Sequence, residues 1–71
     1  MIKRQVVYFV HYKDGDVDSV NWKEAKKLVK EKPSDVALIE RCIRFWETED
    51  ESLMDEKCET LWEAPDAEQY L

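Results

Sequence analysis

Apolar residues crowd one stretch near the start of the chain, where Gln5 to Tyr12 is rich in β-branched and aromatic side chains and ends at the turn-type cluster Lys13-Asp14-Gly15-Asp16. This predicts a strand. At a period of two its faces are Val6, Tyr8, Val10, Tyr12 and Val7, Phe9, His11, and both are largely apolar. A strand of that kind needs cover on both sides.

The period then changes. Trp22, Ala25, Leu28 and Val29 recur at helical spacing behind Asn21, a good N-cap residue with Glu24 three positions on. Lys30 and Lys32 fall in the last turn and Pro33 stops the chain, so a helix is predicted over residues 21–32. Its outer face carries Lys23, Lys26, Lys27 and Lys30.

From Val36 to Thr48 both periods fit. Read as a strand, this stretch forms a hairpin with Lys57–Glu63, in a register where paired residue numbers sum to 100 and Arg41 meets Glu59, Arg44 meets Glu56, and Cys42 meets Cys58. Read as helices, the two segments would use Ser34 and Ser52 as N-caps, with Glu40 and Arg44 paired and Met54, Cys58, Leu61 and Trp62 as a stripe. The charge matching favours the hairpin.

The expected fold is therefore α+β: a small β-α-β-β domain with one helix packed on an antiparallel or mixed three-stranded sheet. The alternative is one N-terminal strand followed by three helices. Residues 1–71 form a single domain, with 64–71 as a tail in which Pro65 and Asp66 could start a helical turn. On this reading one apolar sheet face has no cover, which points to an interface with a second copy, a homodimer.

At 71 residues the core must be thin. The longest early apolar run, Val6 to Val10, is too short to span a bilayer, so a soluble cytoplasmic protein is expected and no membrane partner. In that compartment Cys42 and Cys58 are expected as buried, reduced thiols that the hairpin register would let cross-link under oxidising conditions. They have neither CxxC spacing nor a histidine near them in sequence, and no metal site is assigned.

Catalytic equipment is missing from the pattern. A single glycine cannot build a phosphate-binding loop, so no nucleotide cofactor is expected. His11 has no nucleophile close to it in sequence. Asp14, Asp16 and Asp18 begin like a calcium loop, but Ser19 stands where that loop needs glycine and Ala25 where it needs glutamate. The protein is read as a non-enzyme.

Charge supplies the remaining clue. Residues 1–46 hold ten Lys/Arg against seven Asp/Glu, whereas residues 47–71 hold ten Asp/Glu against Lys57 alone. The overall charge of −6 repels a polyanion, which argues against direct nucleic-acid binding despite the lysine-lined helix. The acidic run Glu47, Glu49, Asp50, Glu51, Asp55 and Glu56 encloses the pair Leu53-Met54, a plausible apolar anchor inside an acidic rim. These eight residues are the expected contact surface for a basic partner protein, with inhibition following if that partner's nucleic-acid site is occupied. A second hypothesis is a homo-oligomeric ligand-binding protein or enzyme whose site combines His11, Tyr8, Tyr12 and the Asp14–Asp18 turn across subunits.

Overall fold

The computed structural model describes residues 1–66. Its elements run β1 (Ile2–Tyr12), β2 (Val17–Val20), α1 (Trp22–Glu31), β3 (Val36–Glu47) and β4 (Ser52–Glu63). All four strands join one antiparallel sheet in the order β2-β1-β3-β4. The sheet has four strands rather than the expected three, because a short strand precedes the helix.

That strand carries almost no signature of its own in the sequence. Val17–Val20 is four residues long and includes Asp18 and Ser19, so its composition merges with the turn before it. In the folded chain the amide of Gly15 donates to the Tyr12 carbonyl and the amide of Tyr12 to the Asp16 carbonyl. Gly15 sits at φ +98°, a region that side chains disfavour, which lets the chain reverse at once and lay β2 along β1 from Tyr8↔Val20 to His11↔Val17.

The helix forms as its caps dictate. Asn21 Oδ1 accepts from the Glu24 amide at 2.8 Å, and Lys32, left-handed at φ 51°, returns its amide to the Leu28 carbonyl. Replacing Asn21 by Ala is expected to cost about 1 kcal/mol, read as a lowered urea midpoint with unchanged slope. Ala25 is buried against the sheet with Leu28 and Val29 beside it, whereas Trp22 remains 53% exposed and lays its ring near Tyr8 at 5.4 Å. Lys23, Lys26, Lys27 and Lys30 are all exposed.

Both long segments after Pro33 are strands, which removes the three-helix alternative. The central register is the one that the charges specify: Arg41↔Glu59, Cys42↔Cys58 and Arg44↔Glu56. Register shifts between Ile39 and Glu40 and between Phe45 and Trp46 alter it outside that block. β4 begins at Ser52, well before the expected Lys57, because its first residues are acidic and conceal the strand pattern.

Val10, Ala25, Val36 and Ile39 form the buried core, flanked by Tyr8, Tyr12, Val20, Leu28, Val29, Leu61 and Trp62. The helix thus covers only one end of one sheet face. The opposite face mixes half-buried Val7, Phe9, Leu38 and Trp46 with Glu40, Arg44 and exposed Lys3 and Gln5. It is less uniformly apolar than β1 alone suggests. At the C-terminal side the Ala64 amide donates to the Ala37 carbonyl and Asp66 pairs with Lys13 at 3.2 Å, with Pro65 and Asp66 forming a turn. The remainder of the expected tail lies outside the described residues.

Candidate functional site

The β3–β4 hairpin places its turn, residues 48–51, at the end of the sheet opposite the helix. Val10 in the core and Ile2 opposite Glu47 are eight positions apart on β1, which at strand rise is about 26 Å. The long axis of the molecule, 41 Å, accommodates that separation.

β1 closes this end. The Thr48 amide and hydroxyl both donate to the Met1 carbonyl, at 3.0 and 2.9 Å, and the Met1 ammonium donates to Glu47 Oε1 at 2.8 Å. That contact, followed by the Glu49 amide, holds the Glu47 carboxyl below its ordinary pKa. Asp50 Oδ1 accepts from both the hydroxyl and the amide of Ser52, which depresses Asp50 likewise. With folded pKa values below the unfolded ones, any stability these two groups add is present above the ordinary carboxylate range and lost as pH falls through it. Glu51 completes the turn in the left-handed region at φ 55°.

The predicted contact residues therefore divide. Glu47 is committed to the N-terminus and Glu56 to Arg44, whose guanidinium also lies 5.1 Å from the Phe9 ring centre. Among the described residues Glu49, Asp50, Glu51 and Asp55 form no ion pair, and all four are exposed. Leu53 and Met54 stand on the first residues of β4, 45% and 55% exposed. Lys3 and Arg4 occupy β1 nearby, so the acidity belongs to the turn and the β4 edge and not to the whole end.

Two members of this surface are not legible in the sequence. Of six large apolar residues left exposed in the described chain, Met1 and Ile2 join Leu53 and Met54 at this end. Only the β1–β3 register brings them together, and nothing in the local pattern announces it. A shallow concavity of about 300 Å³ opens beside them, lined by Lys3, Gln5, Trp46, Thr48 and Glu51, with the Trp46 indole donating to Gln5 at 3.0 Å.

The second grouping, His11 with Tyr8 and Tyr12, is not assembled within the chain. Neighbouring residues on a strand face opposite ways, so the tyrosines point under the helix while His11 lies on the far face, 3.1 Å from Glu40 Oε1. Burial, followed by the carboxylates of Asp18, Asp35 and Glu24, pushes the Tyr12 phenol above its ordinary pKa. The Asp14–Asp18 turn is bound internally, with Asp14 Oδ1 accepting from the Asp16 amide at 3.0 Å. Asp16 and Asp18 are exposed.

The cysteines also differ from expectation. They are joined as a disulfide across the hairpin, and only Cys42 is buried while Cys58 is exposed. Their Cα atoms are 4.1 Å apart, the close approach of directly opposed residues in an antiparallel pair. No helix among the described residues is long and apolar enough to cross a membrane. Comparison with known proteins found no matching family, no matching curated protein and no matching solved structure.

Proposed function

We propose that the protein is a non-enzymatic binding module whose β3–β4 hairpin tip docks on a basic partner protein, inhibiting it where the docked surface is a nucleic-acid site. One observation carries this reading. Four exposed apolar side chains, Met1, Ile2, Leu53 and Met54, share one end of the molecule with four carboxylates that form no ion pair among the described residues, Glu49, Asp50, Glu51 and Asp55. Apolar anchors inside a charged rim suit protein recognition: the anchors prolong the complex and the rim speeds encounter.

The test is affinity capture with the full chain, followed by rate measurements on the purified partner. Changing Glu49, Asp50 and Glu51 together to Lys is expected to slow association at low salt by about tenfold or more, the scale of electrostatic steering. Changing Leu53 and Met54 to Ser should leave association near its original rate and speed dissociation. Competition by an oligonucleotide would identify the docked surface as a nucleic-acid site. If the charge-reversed chain captures the same partner normally at physiological salt, the acidic turn serves only solubility and the reading fails.

A further inference from the structure

On the sheet face turned away from α1, the register gathers both cysteines, a carboxylate and the only histidine of the chain. Candidate ligand atoms of Glu40, Cys42 and Cys58 all lie within 4.8 Å of one another. Glu40 Oε1 is 3.6 Å from Cys42 Sγ and 3.1 Å from His11 Nε2. While the sulfurs are bonded to each other, the first of these is a contact and not a hydrogen bond, since a disulfide carries no S–H. We infer that reduction of the Cys42–Cys58 disulfide opens a site for a soft divalent cation of the zinc class. Cys42 and Cys58 supply thiolates, Glu40 supplies a carboxylate, and His11 holds Glu40 in place.

The donor set is selective, because thiolates with one oxygen ligand suit zinc and not calcium or magnesium. The spacing is adequate, since zinc bonds of about 2.3 Å to sulfur and 2.0–2.2 Å to oxygen place tetrahedral ligands about 3.5–3.8 Å apart, which side-chain rotation can reach from the observed cluster. The local charge favours a cation. Glu56 Oε1 lies 3.8 Å from Cys58 Sγ, so carboxylates flank both sulfurs, while the nearby Arg44 is engaged by Glu56 and Phe9. A divalent cation balances the negative charge that two thiolates add beside these carboxylates. Exposed Cys58 gives reductant and metal a way in.

A trialkylphosphine is a suitable reductant. It gives two electrons to the S–S bond and becomes a phosphine oxide with oxygen from water, leaving two thiols. Cation binding then releases the two thiol protons. Three protein ligands leave one tetrahedral position for water.

Cobalt(II) is the probe, titrated without oxygen into the reduced chain after removal of the phosphine. The expected result is one cobalt per chain, with a thiolate-to-cobalt charge-transfer band and the visible spectrum of a tetrahedral site, both absent from the oxidised chain. Cys58→Ser should abolish the band. His11→Gln should weaken binding by about 10–100-fold, the usual effect of losing a ligand's hydrogen-bond partner. Absence of the band from the reduced chain overturns the inference, and so does unchanged affinity in Glu40→Gln, which would mean that two thiolates bind without the cluster. Far-UV circular dichroism covers reduced protein that unfolds. Recovery of the sheet signal with cobalt supports the site, whereas a band from a chain that stays unfolded counts against it.

Discussion

Ile39→Ala is expected to remove most of the stability that the hydrophobic core supplies. Ile39 lies on the inner strand β3, pairs with Val10 on one side and Trp62 on the other, and is fully buried beneath the helix. Truncating a buried isoleucine costs about 2–5 kcal/mol, because the lost transfer energy is joined by a cavity that the surroundings only partly fill. The core of a domain this size rarely supplies more than about 3–5 kcal/mol, to which the disulfide adds. The one change therefore removes most of what the core supplies and leaves the cross-link as the main remaining support. Ile43→Ala, on the same strand but only half-buried and beyond the helix, should cost markedly less. Urea titrations followed by circular dichroism check both. Equal midpoints for the two variants would mean that the core is not centred on Ile39.

Removing the disulfide is the second large effect. Cys42 and Cys58 are separated by sixteen positions, and a cross-link closing a loop of that length stabilises a fold by about 3 kcal/mol, chiefly by restricting the unfolded chain. For a domain this small each kcal/mol is worth about 4–8 °C in melting temperature, so reduction or the Cys42→Ser/Cys58→Ser pair should lower it on the order of 12–24 °C. The β3–β4 pairing should loosen first, since among the described residues β4 is an edge strand paired only with β3. Hydrogen exchange along β4 locates the loss, and thermal scans with and without reductant give its size. A melting temperature that reductant leaves unchanged would mean that the cross-link adds nothing to stability. Zinc added to the reduced chain should restore part of the loss, because a ligand that binds only the folded form stabilises it.

Where information was local, the amino-acid order was sufficient. The helix between Asn21 and Lys32 is set by its cap, its apolar spacing and Pro33, all within reach of one another along the chain. The centre of the β3–β4 hairpin was also legible, because two charge pairs and a cysteine pair agree on one register. β2 was not, since four residues with turn-like composition become a strand only once β1 is present to pair with them. The start of β4 was hidden in the same way: acidic residues at an exposed edge are tolerated there and carry no strand signature.

The candidate sites divide along the same line. The acidic turn and Leu53-Met54 could be read from composition, and so could the opposed faces of β1, which already separate His11 from Tyr8 and Tyr12. The joining of Met1 and Ile2 to the turn, and of His11 to Glu40 beside the cysteines, depends on the pairing of β1 with β3, segments separated by two turns, a strand and a helix. Periodicity determines which side of an element a residue faces, but which distant residue stands opposite is decided by the one register and set of bulges that bury Val10, Val36 and Ile39 together.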